Sequence, residues 1–109
     1  MEQPNEEWTI EEATDLALSL IESAARRATE EHGNYNSLHE FYAVLLEETD
    51  ELWDEIKKRH ESREPEAIAR EIIDVAAVAV RGLAELLMHE GVVSVVTGLM
   101  AKKGESARV

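Results

Sequence analysis

Glu48, Glu51, Glu71 and Asp74 are the residues of this chain whose type and spacing point to chemistry. Phe41, Val44, Leu45, Leu52 and Ile56 form an apolar helical stripe, and Glu48 occupies the place where that stripe calls for another apolar residue. Glu51 follows three residues later, so the two carboxylates project from nearly the same face about one turn apart. The arrangement recurs downstream. From Ile72 to Val80 every residue except Asp74 is apolar, and Glu71 lies one turn before it. A carboxylate in such surroundings must be paired, protonated or metal-bound, because an unpaired buried charge costs on the order of several kcal/mol. Basic residues are too few on these faces to neutralise four acids. A divalent cation does so directly, and an all-oxygen ligand set selects Mg²⁺, with Mn²⁺ as substitute, over zinc or copper.

A single pair of acids at i and i+3 is usually a solvated helix face. Two pairs, each interrupting an apolar stripe, on consecutive helices that a short connection makes antiparallel neighbours, are much more specific.

The elements that position these acids are all read as helices. The first starts at Thr9, where Glu12 completes a capping box, and carries Ile10, Ala13, Leu16, Ala17, Leu20, Ile21, Ala24 and Ala28 at helical spacing. Gly33-Asn34 is its expected stop. The second starts at Ser37, with Glu40 as box partner, and is expected to run to about His60. Pro65 suits the first turn of the third, which runs to about Glu90 with Gly91 as terminator. Residues 92–100 are rich in β-branched side chains, but a lone strand has no partner in a helical chain, so a short helix packed on the bundle or on a neighbouring subunit is expected. The fold class is therefore all-α: an antiparallel bundle of three long helices plus a short C-terminal helix, completed by oligomerisation. One domain spans 1–109, with 1–8 and 104–109 as loose tails.

Composition sets limits on function. The chain has 109 residues, no cysteine, and 24 acidic against 11 basic side chains, for a formal charge of −13. Thiol nucleophiles, disulfides and zinc–thiolate sites are excluded, and a reducing cytoplasm fits. So acidic a surface repels phosphate backbones, which argues against nucleic-acid binding, and a phosphorylated small ligand approaches it only with divalent cations between. No apolar run reaches the roughly 18–20 residues needed to cross a bilayer, and the acidic residues 1–7 are the opposite of a signal peptide.

Glu48-Thr49-Asp50-Glu51, then nineteen residues, then Glu71-Ile72-Ile73-Asp74 resembles the E-x-x-E … E-x-x-D signature of the MazG-like, all-α nucleoside triphosphate pyrophosphohydrolases. The resemblance covers about residues 38–88. It implies an assembly of at least two chains, with Glu48, Glu51, Glu71 and Asp74 as Mg²⁺ ligands. It also implies hydrolysis of a ribo- or deoxyribonucleoside triphosphate between its α and β phosphates, giving the monophosphate and pyrophosphate. Glu47, beside the first ligand, is implied to help a second ion or to orient the attacking water, so Glu47 and Glu48 are the candidate proton acceptors. The chain departs from the pattern at Arg81, where several family members carry an asparagine that touches the nucleotide, and base preference does not carry over.

Arg81 and Lys58 are the candidate phosphate contacts, Lys58 lying seven residues past Glu51. Trp53, Tyr42 and Phe41 are available as a wall for the base, though such residues are more often core or interface. His32, His39, His60 and His89 form no site by spacing, and the absence of a Glu-x-x-His pair argues against a di-iron bundle. Two other readings stay open: phosphoribosyl-ATP pyrophosphohydrolase, and a non-catalytic helical oligomerisation module whose acids serve solubility.

Overall fold

Capping and glycine chemistry fix the helix limits in the computed structural model, which describes residues 7–101. Helix α1, Ile10–His32, begins at Thr9. The Thr9 hydroxyl accepts from the Glu12 N–H at 3.0 Å, and the Glu12 carboxylate accepts from the Thr9 N–H at 2.9 Å, the full reciprocal box. Gly33, at φ 74°, ends it. Helix α2, Leu38–Ile56, is capped by Ser37, whose hydroxyl accepts from the Glu40 N–H. Glu40 itself accepts from the Asn36 N–H at 2.6 Å rather than closing a box on Ser37. Helix α3, Pro65–Glu90, opens on its proline and stops at Gly91, at φ 94°. Helix α4, Val92–Ala101, confirms a helix over the β-branched stretch. The described residues contain no strand, and the expected tails lie largely outside them.

One boundary differs from expectation. α2 ends at Ile56, and the chain passes through a 3₁₀ turn at His60–Ser62 instead of continuing to His60 as α-helix. The Arg63 guanidinium Nε donates to the carbonyls of Ile56 and Lys58, at 2.8 and 3.2 Å. Those carbonyls, left open at a helix end, are thus satisfied by a side chain rather than by a further turn.

α3 is the central element. Arg81 meets Gly33, Glu85 meets Tyr35, and Phe41 packs against Gly82, whereas Glu48 faces Glu71 and Asp74. α2 therefore runs antiparallel to α3, and the connection that follows α1 is fastened to α3 at Arg81 and Glu85. α1 and α2 do not touch each other along their lengths, and α4 touches α3 alone. The three long helices thus share α3 as their common partner. The radius of gyration is 16.7 Å with extents of 50 × 30 × 27 Å, against about 13 Å for a compact chain of this length. Among the described residues the buried apolar side chains are only Ala25, Ala77 and Val78, and no large side chain is fully enclosed.

α2 packs tightly on α3 at Gly82, where a Cβ would overlap the Phe41 ring, with Cδ1 only 2.6 Å away. Phe41 also stacks at a tilt on Tyr35, ring centroids 5.5 Å apart, so it has little room to yield. Gly82→Ala is expected to destabilise the fold by about 1–3 kcal/mol despite alanine's better helix propensity. Chemical denaturation measures this, and a neutral or stabilised variant would show that α2 and α3 do not approach so closely.

Candidate metal centre

The antiparallel contact of α2 and α3 brings three of the four motif acids together. Glu48, Glu71 and Asp74 each present a carboxylate oxygen, and the three lie within 4.8 Å of one another. All three are half-buried. Helical spacing explains the pairing: residues three apart on α3 share a face, and that face meets the Glu48 position on α2. Glu51, the fourth motif acid, is exposed and outside this close trio, although its charge acts on both Glu48 and Glu71.

Electrostatics mark the centre as short of positive charge. Burial, then the charges of Glu51, Asp74 and Glu71, push the Glu48 carboxyl up to about 7. The Glu71 carboxyl is raised by burial and by Asp74, Glu51 and Glu55, with Arg70 opposing. Glu48 Oε1 and Glu71 Oε1 are both enclosed and without a hydrogen-bond partner. Enclosed polar atoms normally have partners, so a pair of orphaned oxygens from two helices needs something to meet them. An oxygen-only cluster with two such atoms fits a hard divalent cation and not a thiophilic one. The three-acid cluster can hold a metal ion.

Other expected site residues fall elsewhere. Glu47 is exposed and is not one of the converging three. Lys58 lies two residues beyond the end of α2, not on its face, and pairs with Glu55 at 2.9 Å. Arg81 is 7% exposed. One guanidinium nitrogen donates to the Gly33 carbonyl at 2.7 Å, and the group lies over the Tyr35 ring, 4.5 Å from Cζ to the centroid. Arg81 thus ties the α1–α2 connection to α3. Trp53 and Tyr42 are exposed, and Phe41 is taken up by packing on Gly82 and Tyr35.

Three residues of the neighbourhood escaped the sequence reading. Glu55 bears on Glu71 and continues the Glu48–Glu51 face at seven and four residues on, a periodicity that was available to find it. Glu85 accepts from the Tyr35 N–H at 3.1 Å. Tyr35, in the loop between α1 and α2, is half-buried with its hydroxyl enclosed and unpartnered, and only the tertiary fold sets it beside Arg81 and within the field of Glu48. Tyr35 and Arg81 also line a groove of about 910 Å³ between α1 and α3, walled on its apolar side by Leu18, Ile21, Ala25, Val80, Ala84 and Met88.

No helix among the described residues is long and apolar enough to cross a membrane. Compared with protein-family models, with curated proteins and with solved structures, the chain matches none.

Proposed function

We propose that the chain is an Mg²⁺-dependent nucleoside triphosphate pyrophosphohydrolase of the MazG-like kind, acting as a homo-oligomer. The observation that carries the reading is the convergence of Glu48, Glu71 and Asp74 with two enclosed, unpartnered carboxylate oxygens. The E-x-x-E … E-x-x-D spacing that led to these residues supports it. So does the scarcity of enclosed apolar side chains, which a second copy would remedy.

Glu48, Glu71 and Asp74 would hold the ion, with Glu51 at the rim. Bound there, a divalent cation supplies charge neutralisation for a triphosphate that the acidic surface would otherwise repel. Water adds its oxygen to the α phosphorus, the bond from that phosphorus to the α–β bridging oxygen breaks, and pyrophosphate departs with the electron pair. The proton of the attacking water goes to Glu47 or Glu48. Arg81, with one nitrogen committed to Gly33, acts by positioning the Tyr35 loop. Phosphate contact falls to Lys58, once it exchanges its Glu55 partner.

The test is a panel of ribo- and deoxyribonucleoside triphosphates with Mg²⁺, scored for pyrophosphate against orthophosphate. Pyrophosphate that disappears on chelation is expected. Orthophosphate as the sole product moves the cleaved bond and removes this assignment.

A further inference from the structure

Arg81, 7% exposed, is the one buried charged residue among those described, and its charge has no counterion. In a chain with 24 acidic side chains, no carboxylate of the described residues lies within 4.0 Å of its guanidinium. Glu85, one turn further along α3, is the ordinary helical partner. Instead, both Glu85 oxygens accept from the Tyr35 N–H, at 3.1 and 3.3 Å. Of the guanidinium nitrogens, Nη2 donates to the Gly33 carbonyl and Nε is enclosed without a partner. The Tyr35 ring covers one face of the group, and the Tyr35 hydroxyl is also enclosed and unpartnered. A guanidinium carries five N–H donors in one plane, so one carbonyl and one ring leave most of its bonding capacity unused. Buried polar groups are ordinarily satisfied, and a buried charge without a partner is costly. Both residues line the groove of about 910 Å³ between α1 and α3, a volume in the range of small-molecule sites. Its apolar side is open: Leu18 and Met88 are 60% and 78% exposed.

We infer that this groove binds a small organic monocarboxylate, its head on Arg81 and its apolar body along Leu18, Ala25, Val80 and Met88. The sign of the head follows from the unpaired guanidinium, whose planar fork matches the two oxygens of a carboxylate. That the head carries a single charge follows from the rest of the lining. Glu22, Glu30 and Glu85 border the same groove in a chain of net −13, so a polyphosphate is repelled there. The apolar body supplies the affinity, because a lone carboxylate at a groove edge gains little over water. From Arg81 to Met88 the wall runs two turns of α3, about 10 Å, which accommodates a medium-length alkyl chain or a fused aromatic ring. This ligand is not the triphosphate of the function proposed above, and the inference does not rest on that reading.

Octanoate is the probe, with octanol carrying the same body under a neutral head and acetate the head without a body. Calorimetric titration of the full chain, below the micellar range of octanoate, is expected to show saturable binding. Octanoate is expected to bind at least tenfold more tightly than octanol, and acetate not detectably. Arg81→Gln is expected to reduce octanoate to the level of octanol while leaving octanol unchanged, whereas an arginine with a structural role alone would weaken both alike. Ala84→Trp, on the exposed α3 wall of the groove, is expected to abolish binding of both. Circular dichroism checks the fold of each variant; if Arg81→Gln does not fold, the head-group preference and its loss in Ala84→Trp decide. Octanol binding as tightly as octanoate, a preference that survives Arg81→Gln, or binding that Ala84→Trp leaves intact overturns the inference. So does the absence of octanoate binding, the result expected if a second copy fills the groove. Release of pyrophosphate, or its absence, bears on none of these outcomes.

Discussion

Replacing Glu48 with glutamine is expected to raise the melting temperature of the metal-free protein at pH 8, and to flatten the pH dependence of its stability. Glu48 is held at about 7 in the folded chain, well above an exposed glutamate. Between pH 4.5 and 7 the folded state keeps a proton that the unfolded chain gives up, so stability falls as pH rises through that window and the loss is complete above it. Glu71 is raised as well and adds in the same direction. Allowing for solvent screening of a half-buried group, the Glu48 contribution is on the order of 2 kcal/mol, or roughly 5–10 °C in melting temperature. Glutamine keeps the shape and removes the ionisation. Thermal melts of both proteins from pH 5 to 8 in chelator measure the effect, with the two curves meeting near pH 5 and separating above it. Added Mg²⁺ is expected to restore the wild type at pH 8 and do little for the variant, because only the ionised cluster gains from the cation. Parallel pH curves would mean that Glu48 titrates like any surface acid, and that its enclosure is not what raises it.

Asp74→Asn is the companion experiment, with its largest effect on turnover. Asp74 brings an oxygen close to both Glu48 and Glu71, and the amide leaves the volume while removing one of three converging negative charges. Loss of the Mg²⁺-dependent thermal shift is expected, together with a fall in pyrophosphate release of about 10²–10³-fold, the scale of removing one preorganised electrostatic group. Asp54→Asn serves as the control. That acid sits on the exposed side of α2, paired with Lys57 at 2.9 Å, and its loss is expected to leave both readings unchanged. An Asp74→Asn protein that still hydrolyses triphosphates at wild-type rate would remove the three-acid centre from the mechanism. Should the metal-free variant instead prove more stable and the wild type ignore Mg²⁺ altogether, the acids would be surface charge and the chain an interaction module.

Much of the local structure was legible because it is written in short-range chemistry. The Thr9–Glu12 box, the Ser37 cap, Pro65, Gly33 and Gly91 lie within a few residues of the ends they set, and each acts as its type demands. The end of α2 was not legible in this way, since Arg63 reaches back seven residues to the Ile56 carbonyl. Nor was the fate of Arg81. Its place two turns after Asp74 made it a phosphate contact on paper, while in the fold the Gly33 carbonyl and the Tyr35 ring take it.

Periodicity alone determined that Glu48, Glu71 and Asp74 interrupt apolar faces, since a residue's side of a helix follows from counting 3.6 per turn. It also determined the all-helical class. Which acids converge was decided by the axial register of α2 against α3, set by Phe41 seated on Gly82, and that register leaves Glu51 at the rim and Glu47 outside. Tertiary structure alone likewise decided that α1 and α2 both pack on α3 and not on each other. A stripe of apolar residues states that burial is required; it does not name the surface that provides it, because the hydrophobic effect has no direction.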